Sequence, residues 1–136
     1  MKYMILTYAS QRDYDQMTGK DSSPGAYGPE DFAALHAFMT EFNKSLEESG
    51  ELVETRGLTA PVHTRRLGPG TNVVTDGPYA EAEEVLAGYW IVECESFDRA
   101  TEIAARLGDC PAPPGVAARG YADVRPLAES IEEFDL

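Results

Sequence analysis

His36 and Asp76, the latter followed by Gly77 and Pro78, are the two side chains of this sequence whose types best suit proton transfer. An unperturbed imidazole titrates near pH ~6.5, so a histidine can give and take a proton at neutral pH. A carboxylate can serve as the base itself or orient the histidine that does. Held in one cleft, the pair would suit acid–base chemistry of the lyase or isomerase kind. Asp-Gly-Pro also has a purely structural reading, because Asp caps turns, Gly accepts unusual dihedrals and Pro locks the exit. His36 equally suits a boundary position satisfied by backbone or water, and His63, near Arg65 and Arg66, is a weaker candidate. Tyr79, Glu81 and Arg125 are candidate ligand contacts. Glu81 shares a short acidic run with Glu83 and Glu84 that also reads as a solvated face. Arg125 would hold an anionic substrate or neutralise the chain's own carboxylates.

The elements that must position these residues follow from periodicity. Lys2 to Tyr8 alternates Tyr3, Ile5 and Thr7 against Met4, Leu6 and Tyr8, so both faces of a first strand carry apolar or amphipathic side chains. Ala9 to Gly28 is polar and aperiodic, at a length where a loop serves as a lid or a dimer-crossing arm, or stays without order. Pro29 opens a helix that carries Phe32, Leu35, Met39, Phe42 and Leu46 on one stripe and ends before Gly50. His36 and Asn43 flank that stripe on one side and Phe38 on the other. Leu52 to Leu58 is a second strand. His63 to Leu67 and Asn72 to Thr75 form a hairpin connected through Gly68, Pro69 and Gly70.

Val85 to Cys94 is again apolar on both faces, with Leu86, Trp90, Val92 and Cys94 opposite Val85, Ala87, Tyr89 and Ile91. Ser96 caps a second helix whose core stripe is Ala100, Ile103, Ala104 and Leu107. Pro111, Pro113 and Pro114 keep the next loop extended, and Tyr121 to Leu127 closes the fold as a strand that Pro126 confines to an edge or an end. Glu129 to Leu136 is an acidic tail expected to fray.

This order predicts an α+β chain, a ferredoxin-like βαββαβ fold with an inserted β-hairpin, as one domain over residues 1–128 with a tail at 129–136. The first and third main strands are central in that plan. Both are two-faced, yet two helices cover only one side of a sheet. A second copy of the same sheet is the economical cover, which predicts a homodimer through sheet-to-sheet packing, a dimeric α/β barrel.

Charge narrows the partners. With 24 acidic and 11 basic residues the chain carries −13, and such a polyanion repels phosphate backbones, so no nucleic-acid partner is expected. No apolar run approaches the roughly 18 residues of a membrane span, and the first ten residues lack a signal-peptide cleavage region. Cys94 and Cys110 have no metal-ligand spacing and suit a reducing compartment. The expectation is a soluble cytoplasmic protein with a small-molecule ligand, no cofactor, no metal and no membrane partner.

The opening MKYMILTY, a helix ending in Glu48-Ser49-Gly50, the run VVTDGPYAEAEEVLAGYWIVE, then SFDRATEIAARL and a closing DVRPL resemble the YCII-related superfamily, in its DGPF branch. Asp76-Gly77-Pro78 matches the branch signature with Tyr79 in place of the usual Phe, and Glu81, Glu84 and Gly88-Tyr89-Trp90 follow in register. The resemblance implies a ferredoxin-like fold and a dimeric α/β barrel. Some broader relatives are lyase-like enzymes acting on chlorinated hydroxyquinols through a His-Asp pair, and that branch's histidine position falls near Met39 here, about one turn from His36. Other members are found beside extracytoplasmic-function sigma factors, which implies the alternative of a non-enzymatic accessory or regulatory protein that does not contact DNA.

Overall fold

The computed structural model describes every residue except Ser22, Pro24, 71–73, Gly77, Pro78, Ala118 and Leu136, and describes Val74–Asp76 by backbone only. The chain runs β1 (Lys2–Ala9), α1 (Gln11–Met17), α2 (Pro29–Ser49), β2 (Leu52–Gly57), β3 (Arg65–Leu67), β4 (Val74–Asp76), β5 (Val85–Glu93), α3 (Phe97–Ala105), α4 (Pro114–Ala117) and β6 (Ala122–Pro126). The main sheet is antiparallel in the order β2-β5-β1-β6, and β3 with β4 forms a separate two-stranded sheet. Helices α2 and α3 follow β1 and β5, which lie at the centre of that order. This is the ferredoxin-like α+β arrangement that the sequence predicts.

Alternation along the central strands divides the sheet's two faces. Tyr3 and Ile5 of β1 and Trp90 and Val92 of β5 are buried with Phe42 and Leu46 of α2 and Ala100, Ile103 and Ala104 of α3. Met4, Leu6, Tyr89 and Ile91 point the other way and are half-buried. In register, Met4 lies between Ile91 and Arg125, and Leu6 between Tyr89 and Asp123. Next to Ile91 and Tyr89 on β2 come Glu54 and Arg56. The open face therefore has an apolar centre with one charge of each sign along both edge strands.

Local chemistry sets the helix ends. Pro29 stands in the first turn of α2, and Gly50 ends it in the left-handed region at φ 78°. Ser96 caps α3 by accepting from the Arg99 N–H at 3.0 Å. Helix α2 meets the core from Phe38 onward: Phe38 and Met39 pack against it and Phe42 and Leu46 are buried in it, whereas Phe32 is 45% exposed.

The structure corrects four expectations. Within Ala9 to Gly28, residues Gln11–Met17 form α1, because Ser10 and Asp13 make a reciprocal capping box: the Asp13 N–H donates to Ser10 Oγ at 3.1 Å and the Ser10 N–H to Asp13 Oδ2 at 2.9 Å. The helix is also stitched to its surroundings, with the Tyr14 hydroxyl donating to the Leu58 carbonyl at 2.7 Å and the Val62 N–H donating to Gln11 Oε1 at 2.8 Å. The hairpin is shorter at its start than expected, since Pro61–His63 is a 3-10 turn before Arg65 pairs with Asp76. Pro114 starts α4 instead of prolonging an extended loop, its fixed φ suiting a first helical turn. The tail does not fray throughout: Ile131–Asp135 is a 3-10 turn, and the Glu129 N–H donates to the Glu133 carboxylate at 2.7 Å.

Candidate functional site

A cavity of about 540 Å³ lies between the helices and one end of the sheet, within the range of small-molecule sites. Its apolar side abuts the core. Met39, Leu107 and Val124 are half-buried against the core cluster, and Ala104 is buried within it. Helix α1 contributes Asp13, Gln16 and Met17, the segment before α2 contributes Tyr27, and α4 contributes Val116 and Ala117. The register shift between Thr7 and Tyr8 lets the end of β1 border the same space, as bulges commonly do near sites.

The polar groups cluster at the more exposed side. Arg119 Nη2 donates to Asp13 Oδ1 at 2.9 Å. Tyr8 and Tyr121 stack with ring centroids 5.4 Å apart. Hydrogen bonding to Glu84, ahead of burial and of that carboxylate's charge, holds the Tyr121 phenol above its ordinary pKa, and hydrogen bonding to Asp123 raises the Tyr8 phenol likewise. Burial pushes up both the Tyr27 phenol and the Cys110 thiol, so both stay protonated at neutral pH.

The residues singled out from sequence lie elsewhere. His36, exposed on the first half of α2, accepts at its carbonyl from Thr40 Oγ1 at 3.0 Å, and it is not among the residues lining the cavity. Asp76 ends β4 opposite Arg65 in the small sheet; its side chain, and Gly77 and Pro78 entirely, lie outside the described residues. Tyr79 is half-buried under the Arg66 guanidinium, 4.8 Å from the ring centroid. Glu81 is exposed, 3.9 Å from Arg12 Nε, and its carbonyl accepts from the Arg12 N–H at 3.1 Å. Arg125 points to the open face and borders a second space there, of about 700 Å³, with Met4, Leu6 and Phe134.

The cavity's own residues lie outside the sequence-based candidates. Asp13 and Tyr27 belong to the stretch expected to be a loop, and Glu84 to the acidic run that reads as a solvated face. Two signals were available: Ser10 and Asp13 have capping-box spacing, and Met39 stands near the place the resemblance assigns to a histidine. Met39 lines the cavity, so the side chain nearest that position is a thioether here.

The YCII-related domain family model matches residues 1–125. An uncharacterized protein of Rhizobium meliloti (strain 1021) is 31% identical over 130 residues, covering 94% of this chain and 93% of the relative. Among solved structures, the chain is similar to 5-chloro-2-hydroxyhydroquinone dehydrochlorinase (TftG) from Burkholderia phenoliruptrix AC1100 in complex with 2,5-dihydroxybenzoquinone. That likeness has 15% identity, spans 96% of each chain and has a TM-score of 0.40, too distant to bear on activity.

Proposed function

The chain belongs to the YCII-related family, and from that premise we propose that it is a cytoplasmic homodimer of the DGPF branch that binds a small organic ligand between its helices and its sheet. The observation that carries the reading is the cavity of about 540 Å³, with a floor of Met39, Ala104, Leu107 and Val124 and a few polar groups on one side. An apolar space of that size with convergent polar groups is the usual form of a small-molecule site. One domain over 1–128 supplies every lining residue. The homodimer is supported by the open face, whose apolar centre two helices leave uncovered. Among the described residues, no helix is long and apolar enough to cross a membrane.

A thermal-shift screen of phenolic and other small aromatic compounds tests the reading. Thr101→Trp and Val116→Trp would each fill the cavity from residues that are not core-buried. A hit whose shift disappears in both variants supports the site, and one whose shift survives in both places the ligand elsewhere. Acid–base chemistry by His36 and Asp76 is a separate proposal, supported by residue type and the DGP motif. For any bound compound that is also turned over, His36→Ala and Asp76→Ala should each abolish turnover while binding persists; undiminished turnover in either would remove that residue from the chemistry.

A further inference from the structure

Resting on the cavity reading above, we propose that the ligand is an organic cation, an amine or quaternary ammonium on an apolar body, rather than an organic acid. Among the described residues, the charged side chains lining the cavity are Asp13, Glu84 and Arg119. Arg119 is engaged by Asp13 at 2.9 Å. Asp13 is in turn fixed, since it accepts from the Ser10 N–H at 2.9 Å as half of the capping box of α1. Asp13 thus neutralises the Arg119 charge, and an incoming carboxylate would have to share a guanidinium that is already paired, beside Glu84. An incoming cation meets the reverse arrangement.

Glu84 is exposed and lines the cavity with Tyr121, a neutral side chain that leaves its charge uncancelled. Tyr121 stacks on Tyr8, and Tyr27 also borders the space, so aromatic rings accompany the carboxylate. Aromatic rings next to a carboxylate favour ammonium groups through the ring quadrupole and through charge. The apolar floor is spatially distinct from this charged side, because Ala104 is buried while Glu84, Arg119 and Tyr121 are exposed. An amphiphile with its hydrocarbon on the floor and its ammonium at Glu84 satisfies both ends.

Three probes of matched shape separate the possibilities: phenethylamine, 2-phenylethanol and phenylacetate, titrated by calorimetry at about 0.15 M salt, where long-range attraction is damped. The amine is expected to bind about tenfold more tightly than the alcohol, the order of a partly desolvated cation–π contact together with a carboxylate, with phenylacetate weakest. Glu84→Gln should remove most of that preference while leaving the alcohol's affinity unchanged. A net charge of −13 draws any cation to the surface, so the amine's advantage must also vanish in Val116→Trp. If the alcohol or the acid binds as tightly as the amine, and Val116→Trp abolishes that binding, the cation assignment falls and the cavity reading stands. An amine preference that persists in Val116→Trp, or that ignores Glu84→Gln, overturns the assignment as well. Binding by none of the three probes overturns the cation assignment and the cavity reading together.

Discussion

Arg99 of α3 grips Glu51, the residue between α2 and β2, through two bonds: Nε to Oε2 and Nη2 to Oε1, each at 2.8 Å. Ser49 Oγ donates to the same carboxylate at 2.9 Å. These contacts join the two helices' ends where β2 enters the sheet. The hydrogen bonds from Arg99, before all other causes, hold the Glu51 carboxyl below its usual range. Because the folded value is the lower one, the stabilisation is present above the unfolded pKa and is lost as pH falls through the folded one. Arg99 stays charged throughout, so it adds no slope in acid. Glu51→Gln is therefore expected to cost about 1–3 kcal/mol at pH 7 and to flatten the decline in stability towards acid. Denaturant midpoints measured from about pH 7 to pH 3 check this; parallel curves for the two proteins would show that Glu51 does not drive the acid sensitivity.

The indole N–H of Trp90 donates to the side-chain oxygen of Asn43 at 2.7 Å, joining β5 to α2 beneath the edge-on contact of Trp90 with Phe42. Asn43→Ala leaves a buried donor without its partner, so a loss of about 1–3 kcal/mol is expected. Asn43→Asp keeps an acceptor and should lose less. Trp90 is the single tryptophan, so urea unfolding followed by its fluorescence reads the site directly. Equal losses in the two variants would mean that the bond contributes little beyond packing.

Asn43 and His36 also show how far the sequence reaches. Both lie on the same flank of α2 by helical periodicity, yet Asn43 is half-buried on Trp90 and His36 is exposed. The wheel reports which side of a helix a residue occupies, not how much of its length the sheet covers. The main strands, both helices and the two-faced nature of β1 and β5 were legible because long apolar patterns fix them. Helix α1 was not, because its seven residues carry no apolar stripe and it is held by a capping box and by bonds to Leu58 and Val62. The cavity escaped for the same reason: Asp13, Tyr27, Glu84 and Arg119 come from four separate segments that only the tertiary fold brings together.

Gly88, in the run Gly88-Tyr89-Trp90, is buried where β5 passes close to β2. A Cβ built there would lie 3.0 Å from the Arg56 carbonyl oxygen and 3.5 Å from Gly57 Cα. Both neighbours are backbone, so relief requires the strands to separate. Gly88→Ala is expected to destabilise by about 1–3 kcal/mol, the usual cost of overpacking. Gly108→Ala is the control, since a Cβ there meets nothing within 4 Å. Thermal melts of the two variants decide the matter, and similar melting points would show that the sheet absorbs the extra methyl group.

The open face of the sheet gives the most direct test of assembly. Its centre is Met4, Leu6, Tyr89 and Ile91, and the edge strands carry Asp123 and Arg125 on β6 and Glu54 and Arg56 on β2. The Tyr89 hydroxyl donates to Glu54, which keeps that polar atom satisfied when the face is covered. A two-fold related copy would set apolar centre against apolar centre, and each edge offers both signs of charge to its counterpart. Ile91→Glu places a carboxylate in the middle of that contact, where it would be desolvated without a cation opposite it. The expected outcome is a dimer for the unaltered chain in sedimentation velocity at micromolar concentration and a monomer for Ile91→Glu. Far-ultraviolet circular dichroism should be unchanged, because the substituted side chain does not enter the core on the helix side. A variant that stays dimeric would move the interface off this face, and an unaltered chain that sediments as a monomer would leave the sheet's second face to water.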